Sequence, residues 1–555
     1  MRCMACSLAL LLSLGCDSGS DADGGATPDA SASVDAAQPG TDAGPIETDA
    51  GPPGAVVEPD DPGAADVRLS IDTTAETHPI SPHIYGHNGP RWEDDTGVVT
   101  LERSGGNRWT AYNWENNASN AGSDWMHQND SFLGGGDTPG GAVSERVNPA
   151  HAAGAAALIT IPIAGFVAAD TNGDGDVSAT PDYLNRRFQR SETSGSTGVT
   201  PDLTDDVVHQ EQFVRWAEQT LAPGGALFYS LDNEPDLWDD THARIRSSQL
   251  TYEELVTRNI DYARAIRAEA PDAMIFGPAH YGFGGMINLQ SAPDAGGRDF
   301  VEHYLEQLRA ASEAEGGRLV DVLDIHWYPE ARGDGQRVTD DGTSAGLAAA
   351  RMQSTRSLWD PTYREESWIA DFVGGPIALL PGLQEKIDRL WPGTRLAITE
   401  YYFGGGDHIS GALAQAAALG VFGRADLFAA CLWHIGSTED TFINAAFRMY
   451  RDTGDGTRFG DTSAQALSDD DEGAAVFAST NAAGEVIVVA INRTADALDA
   501  GISLRHRGAL SVGAAWQLTD AAAEPRAGSA PERVGQNAFR YGMPAMSVST
   551  LRFGP

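Results

Sequence analysis

The chain has 555 residues, and its 79 acidic and 37 basic side chains give a formal net charge of −42 at pH 7. Such a charge repels nucleic-acid phosphates and anionic membrane surfaces, so we expect no nucleic-acid partner. The length predicts one large domain with at least one smaller one, and the twelve tryptophans are suited either to stacking on a neutral sugar ligand or to filling a large core.

The first sixteen residues, MRCMACSLALLLSLGC, have the layout of an export signal. One arginine precedes an apolar run that ends in small residues and is too short for a membrane-spanning helix. Cys16 resembles a bacterial lipoprotein processing site, where the cysteine would carry a lipid. We therefore expect an exported, monomeric protein that is either attached to the outer cell surface through Cys16 or released.

Residues 17–65 contain no lysine, arginine or aromatic residue. A segment of this composition cannot repay the entropy lost on ordering, so we expect a disordered acidic tether. Three of the four cysteines, Cys3, Cys6 and Cys16, precede this segment. Only Cys431 remains for the folded body, which predicts neither an intrachain disulfide nor a cysteine-based zinc site.

From residue 66 onward, apolar runs alternate with amphipathic stretches, which indicates an α/β body. Residues 66–78 predict an N-terminal strand that joins a C-terminal β-domain. Between 79 and 465, eight apolar runs with helix candidates such as 205–221 and 251–269 predict a (β/α)8 TIM barrel. A doubly wound sheet is the competing fold, but no dinucleotide-binding glycine fingerprint follows an early strand. The eight runs are 80–88, 99–107, 157–168, 226–235, 273–282, 322–329, 395–402 and 430–436.

The composition changes again in residues 466–555. Short stretches of alternating hydrophobicity are joined there by Gly, Asn and Asp turns, as in VFASTNAAGEVIVVAINRT. This pattern is typical of a β-sandwich. The predicted fold is therefore an α/β barrel with an additional C-terminal β-sandwich domain.

Two carboxylates follow predicted strands four and seven, at the end of a barrel where active sites form. Glu234 stands in YSLDNEPDLW and Glu400 in ITEYY. Such a pair fits cleavage of a glycosidic bond, because one carboxylic acid protonates the departing oxygen while the other carboxylate meets the positive charge at the anomeric carbon. Carboxyl groups about 5 to 5.5 Å apart would give retention of configuration, and a gap of about 6.5 to 9.5 Å would give inversion.

Four blocks of the chain resemble the signature blocks of glycoside hydrolase family 44, the endo-β-1,4-glucanases and xyloglucanases. They are RSGGNRWTAYNWENNASNAGSDW (103–125), YSLDNEPDLW (229–238), DIHWYP (324–329) and ITEYYFGGGDHISGALAQAAALGVFGR (398–424). The resemblance runs from about residue 66 to the C-terminus. It implies a barrel with a β-sandwich partner and a retaining mechanism, with Glu234 as acid/base and Glu400 as nucleophile.

The implied substrate is a plant cell-wall β-glucan polysaccharide such as xyloglucan, carboxymethylcellulose or cellulose. Two rival interpretations stay open: a related barrel hydrolase with a mannan or xylan preference, and a surface glycan-binding protein without activity. The presence of both Glu234 and Glu400 argues against the second rival.

Other polar and aromatic residues near the strand ends complete the predicted glycan site. Asn233 is placed to reach the sugar 2-hydroxyl, or it simply forms a turn before proline. Arg103, or the hydroxyls of Tyr401 and Tyr402, would keep Glu400 ionised, although Arg103 also fits an ion pair at the barrel bottom. The predicted substrate-binding residues are Arg103, Asn107, Trp114, Asn116, Asn233, His326, Trp327, Tyr328, Tyr402 and Trp433.

Three of these assignments have structural alternatives. Trp327 and Trp433 would instead be core residues, and the Asn-rich run at 113–117 would instead be a loop bonded to itself. An extended cleft for internal cleavage of a long glycan is predicted from the tryptophans after strands one and two, which are Trp92, Trp109, Trp114 and Trp125.

One further motif predicts a structural Ca²⁺ ion, whereas catalysis itself needs no cofactor. Asp170, Asn172, Asp174 and Asp176 hold positions 1, 3, 5 and 7 of a calcium-loop-like stretch. Position 12 is Pro181 in place of the usual glutamate, so a turn without a metal is the alternative. Asp202 and Asp205 are interpreted as N-terminal residues of the following helix.

Overall fold

The computed structural model of the protein describes residues 54–555. The predicted export signal, Cys16 and the tether as far as residue 53 lie outside the described residues and stay predictions. Between residues 54 and 555, no helix combines the length and the apolar composition needed to cross a membrane.

Eight parallel strands close into a barrel, and each overlaps one of the eight predicted apolar runs, which confirms the (β/α)8 prediction. The strands are buried on both faces because helices cover the outside and side chains fill the interior. They are β1 (Gly86–His87), β2 (Leu101–Ser104), β3 (Ala156–Ile161), β4 (Leu227–Leu231), β5 (Ile275–His280), β6 (Val322–Trp327), β7 (Arg395–Tyr401) and β8 (Ala429–Leu432).

Helices follow the barrel strands and place their apolar faces against them. The predicted helix at 251–269 forms at Tyr252–Glu269, where the hydroxyl of Thr251 caps the first turn by accepting from the Glu254 amide at 3.1 Å. The longer helices are Gly141–Ala152, Gln210–Thr220, Tyr252–Glu269, Phe300–Glu315, Ala345–Ser354, Leu379–Leu390, Ile409–Arg424 and Thr441–Arg451, and the short ones are Trp92–Asp95, Asn107–Thr110, Tyr183–Arg186, Trp238–Thr241, Phe283–Asn288 and Trp368–Val373.

The helix predicted from residue 205 begins later, at Gln210. Asp202 and Asp205 therefore do not belong to it, and each instead accepts from a backbone amide two residues further on, which makes a local turn. Short extra strands lie in the loops, at Ser119–Asn120, Asn129–Asp130, Phe166–Ala168, Phe188–Glu192, Val207–His209, Arg332–Gly333 and Gln336–Arg337.

The C-terminal strands form a β-domain that includes the strand predicted near the N-terminus. Val67–Asp72 lies inside the sheet, antiparallel to Thr462–Ser468 and parallel to Leu498–Arg507. Its alternate residues are buried, as a half-covered strand requires. The strands of this domain are Val56–Val57, Val67–Asp72, His78–Pro79, Thr462–Ser468, Ala474–Thr480, Val486–Asn492, Leu498–Arg507, Ser511–Thr519, Ala522–Ala527, Glu532–Gly535, Ala538–Met543 and Ser547–Gly554.

Two expected boundaries differ from the structure. Residues 56–65 were expected to belong to the disordered tether, yet Val56–Val57 pairs antiparallel with Leu498–Arg507. Leu498–Arg507 pairs with Ala538–Met543 only as far as Ser503, so His506 and Arg507 beyond that point supply backbone partners to a segment that has no core of its own, and composition does not reveal this. The β-domain also begins a few residues before 466, because Thr462–Ser468 is already one of its strands.

Barrel and β-domain share one continuous apolar core. The helix Ile409–Arg424, which follows β7, is buried on all sides from Ile409 to Gly423. On one side the Phe422 ring contacts Tyr401 of β7 at 5.0 Å between centroids. On the other side Gly420 lies so close to the Phe477 ring of the β-domain that an added Cβ would be 2.3 Å from it.

Candidate active site

Glu234 and Glu400 meet at the carboxyl end of the barrel. Glu234 follows β4 by three residues and Glu400 lies near the end of β7. One carboxylate oxygen of each and one ring nitrogen of His326 lie within 4.8 Å of one another. Their side chains are only 12% and 6% exposed, so both carboxylates are largely shielded from water.

His326, near the end of β6, connects the pair to Arg103 of β2. Its Nδ1 is 2.8 Å from Oε1 of Glu234, and its Nε2 is 3.3 Å from Nη2 of Arg103. Because a guanidinium only donates, Nε2 is the acceptor and the ring proton resides on Nδ1. Burial and the charge of Arg103 lower the pKa of His326 well below its usual value, so the ring is neutral. Oε1 of Glu234 therefore accepts from His326, which leaves Oε2 to carry the acid proton.

Glu400 has a donor on each oxygen. Nη1 of Arg103 donates to Oε1 at 2.6 Å, and the hydroxyl of Tyr328 donates to Oε2 at 2.7 Å. Arg103 is 1% exposed and also donates through Nη2 to Oδ1 of Asn233 at 2.8 Å. One guanidinium thus orients the ionised carboxylate and the amide that precedes the acid.

The electrostatics give the two carboxyl groups different protonation states. Burial raises the pKa of Glu234 well above its usual value, and the negative charge of Glu400 raises it further. Burial also raises the pKa of Glu400, but Arg103 and the Tyr328 hydrogen bond oppose that rise. Glu234 is therefore the group that holds a proton, and Glu400 is the carboxylate.

Asn233, Trp433 and Asn107 lie around the backbone of Gly106. Oδ1 of Asn233 accepts from Arg103 and from the Gly106 amide at 3.1 Å, so its amide nitrogen is left to face a ligand. The half-buried ring of Trp433 lies against Gly106, where a Cβ would be 2.4 Å from the ring. Asn107 donates to Asp124 at 2.8 Å. The substrate-binding roles of Asn233, Trp433 and Asn107 stay predictions.

Four predicted site residues lie elsewhere. Trp114 and Trp327 are each 1% exposed and belong to the core, and Trp114 stacks on Phe213 with ring centroids 5.6 Å apart. Asn116 joins its loop to the loop after β3, because it donates to the Ala169 carbonyl and accepts from the Ala118 amide. Tyr402 is buried and donates to Asp440 at 3.2 Å.

The predicted partners of Glu400 are also corrected in part. The hydroxyl of Tyr401 accepts from Gln415 of the covering helix, since this side chain points away from the barrel interior. Of the predicted partners, Arg103 contacts Glu400, and Tyr328 provides the second contact. Of the tryptophans predicted to form the cleft, Trp109 is also buried, whereas Trp125 is 45% exposed.

An aromatic patch after β5 and β6 has no counterpart in the sequence-based assignment. Trp368 and Phe372 are 52% and 64% exposed, and both rings contact Phe283 edge-on at 5.9 and 5.8 Å. Tyr281 lies two residues before Phe283 and is 40% exposed, and burial and then the charge of Glu234 raise its pKa. The spacing of Trp368 and Phe372, one helical turn apart on a short helix, is the signal that could have revealed them.

The residues of the predicted calcium loop do not fit a calcium site. Arg187 donates to both oxygens of Asp170, at 2.7 and 2.9 Å, and to Asp174 at 2.7 Å. Arg244 binds both oxygens of Asp176. Guanidinium groups thus take the lone pairs that an ion would need. Beside Glu400, likewise, the guanidinium of Arg103 supplies the positive charge.

A barrel with an acid after β4 and a carboxylate on β7 that face each other defines a glycoside hydrolase. The profile described as "Glycoside hydrolase family 44" matches residues 118–331. Endoglucanase A from Paenibacillus lautus is 38% identical over 511 residues, which cover 87% of this chain and 72% of the relative. The chain belongs to glycoside hydrolase family 44.

Solved structures support the same assignment. A Paenibacillus polymyxa xyloglucanase from glycoside hydrolase family 44 is 36% identical, with a TM-score of 0.84 over 89% of this chain and 100% of that one. A family 44 endoglucanase from Clostridium thermocellum is 37% identical, with a TM-score of 0.83 over 88% of this chain and 100% of that one.

Proposed function

We propose that this glycoside hydrolase is a retaining endo-β-1,4-glucanase that cleaves plant cell-wall β-glucans, including xyloglucan. The observation that carries the proposal is the facing pair Glu234 and Glu400, with carboxylate oxygens no more than 4.8 Å apart. Such a gap supports direct attack by one carboxylate, because inverting enzymes keep about 6.5 to 9.5 Å between their carboxyl groups.

In the first step Glu400 attacks the anomeric carbon while Glu234 passes its proton from Oε2 to the departing oxygen. Arg103 and Tyr328 hold the attacking carboxylate in place. In the second step Glu234, now ionised, takes a proton from water, and that water displaces Glu400 from the sugar. The free amide nitrogen of Asn233 donates to the sugar 2-hydroxyl, where a hydrogen bond strengthens in the transition state.

Aromatic side chains on both sides of the pair support cleavage within a long chain. Trp125 follows β2, whereas Trp368 and Phe372 follow β6, and all three are exposed. Flat apolar rings bind sugar faces without requiring charge. The endoglucanase and xyloglucanase named in the comparisons support the choice of a β-1,4-glucan.

The test is proton magnetic resonance of fresh products from xyloglucan and carboxymethylcellulose, with mannan and xylan as alternative substrates. We expect the β-anomer first, a rapid fall in viscosity, and loss of turnover in Glu234→Gln and Glu400→Gln. An initial α-anomer would contradict retention, and preferred cleavage of mannan or xylan would contradict the substrate assignment.

The export signal and the lipid on Cys16 are proposed together with this function. A cell-wall polysaccharide is too large to enter a cell, so its hydrolase has to act outside. Metabolic labelling with palmitate, compared between the full-length protein and Cys16→Ala, tests the anchor. Equal labelling of both proteins would contradict it.

A further inference from the structure

Asp232 follows β4 directly and precedes the acid Glu234 by two residues. Its side chain is fully buried, and its carboxylate accepts four hydrogen bonds. Oδ1 accepts from the hydroxyl of Thr110 at 2.6 Å and from the amide of Asn233 at 2.8 Å. Oδ2 accepts from the amides of Ile163 at 2.6 Å and Ala164 at 3.2 Å.

These donors come from three successive loops of the barrel. Thr110 ends the short helix after β2, Ile163 and Ala164 follow β3, and Asn233 follows β4. All four donors are neutral, so the carboxylate forms no ion pair with them. An ionised aspartate accepts at four positions and donates at none, whereas an asparagine of the same size would also donate.

The backbone around Asp232 adopts a conformation that non-glycine residues avoid. Asp232 has φ of 71° and Glu234 has φ of 44°, and both values lie in the left-handed region. Such residues persist only where their surroundings hold them. The amide of Glu234 donates to the Ala279 carbonyl at 3.0 Å, so the turn is held by Asp232 on one side and by β5 on the other.

We propose that Asp232 is a positioning residue, whose carboxylate fixes the strained turn that aims Glu234 at the departing oxygen and Asn233 at the sugar. The inference rests on the proposed function. Burial raises the pKa of Asp232 to about 7, and its four hydrogen bonds oppose that rise. The ionised form is the one that accepts all four.

The test compares two aryl β-cellobiosides on the purified full chain, because a dinitrophenolate departs without a proton whereas a phenolate needs one. In Asp232→Asn the side-chain NH₂ group, which only donates, faces N–H and O–H groups that also donate. The turn therefore shifts, and Glu234 no longer points at the departing oxygen. We expect the rate of the first step, measured as kcat/KM, to fall about 100-fold for phenyl cellobioside and about 10-fold or less for the dinitrophenyl glycoside, because kcat/KM does not include the second step, in which Glu234 acts as a base. Thr110→Val removes one donor and should shift the ratio of the two rates in the same direction by less.

A matched control separates positioning from folding. Asp360 is another buried aspartate that accepts from a threonine hydroxyl and a backbone amide, both of Thr362. Asp360→Asn should keep the wild-type ratio of the two rates even where its melting temperature falls. An unchanged ratio in Asp232→Asn would overturn the inference, whether its rates fall or not. A wild-type enzyme that cleaves neither glycoside nor glucan would contradict the proposed function instead.

Discussion

The charge of Glu400 favours the protonated form of Glu234. The negative charge of Glu400 raises the pKa of Glu234, in addition to the effect of burial. In Glu400→Gln that charge is absent, so we expect the pKa of Glu234 to fall while staying above the ordinary value, since burial is unchanged. Carbon-13 resonance of labelled glutamate carboxyl groups measures it. The exposed Glu472→Gln is the control, and an unchanged pKa of Glu234 would show that Glu400 is not ionised.

Tyr328 and Tyr402 form a matched pair for a second test. The Tyr328 hydroxyl donates to Glu400, whereas that of Tyr402 donates to Asp440. A hydrogen bond to a charged group contributes about 1.5 to 3 kcal/mol, so Tyr328→Phe should lower kcat roughly 10- to 100-fold. Its loss also lets the pKa of Glu400 rise, which moves the acidic limb of the pH–rate profile to higher pH.

Tyr402→Phe should keep kcat within about 3-fold of wild type and leave the acidic limb in place, because the Tyr402 hydroxyl donates to Asp440 and not to Glu400. Initial rates on xyloglucan from pH 4 to pH 9 provide both readouts. Equal losses in the two variants would contradict the assignment of Tyr328 as the partner of Glu400.

Residue chemistry explains which site residues the sequence predicts. Glu234, Glu400, Arg103 and Asn233 are polar residues at the ends of apolar runs, where a barrel collects its active site. Trp114 and Trp433 are the same residue type, yet Trp114 is buried and Trp433 is half-buried. The residues next to Trp114 in the sequence do not show that Phe213 covers its ring. Partners distant in sequence decide whether a side chain faces core or cleft.

At the scale of elements, all eight barrel strands are predictable because a parallel barrel strand is apolar on both faces. The Asn-rich loop and the acidic loop are not, because their polar atoms find partners in other loops. Asn117, for example, donates to carbonyls of residues 135, 136 and 138. An oxygen-rich pattern therefore predicts a cation, although whether that cation is a metal or an arginine depends on the fold.

Arg187 holds the acidic loop at Asp170 and Asp174. In Arg187→Gln these carboxylates lose their charged donor, which should cost about 2 kcal/mol, lower the melting temperature and speed protease cleavage between residues 170 and 180. Arg190→Gln is the control, because Arg190 is 52% exposed in its pair with Glu192 and such pairs contribute little. Protection of the wild-type loop by added Ca²⁺ would contradict the arginine assignment.

At the scale of the whole molecule, the helix Ile409–Arg424 joins the two domains, because it packs against both the barrel and the β-domain. Because the apolar core is continuous across this helix, we expect one cooperative unfolding transition for residues 54–555. The strand Val67–Asp72 strengthens the coupling, since it precedes the barrel in sequence yet lies inside the sheet of the β-domain. The place of this strand was expected from the sequence, whereas the continuous core was not, because it depends on contacts between distant parts of the chain.

Two glycines of this helix test the shared core. A Cβ at Gly420 would lie 2.3 Å from the Phe477 ring, whereas one at Gly423 would lie 3.6 Å from Ile80, an ordinary contact. Alanine is favoured over glycine in a helix by about 1 kcal/mol, so Gly423→Ala should raise the melting temperature. Gly420→Ala gains the same amount but forces Phe477 to move, which costs about 1 to 3 kcal/mol and should lower the melting temperature.

Scanning calorimetry should show a single peak in both variants, with activity lost at the same temperature. A second peak in Gly420→Ala would mean that barrel and β-domain unfold independently and that the helix does not couple them.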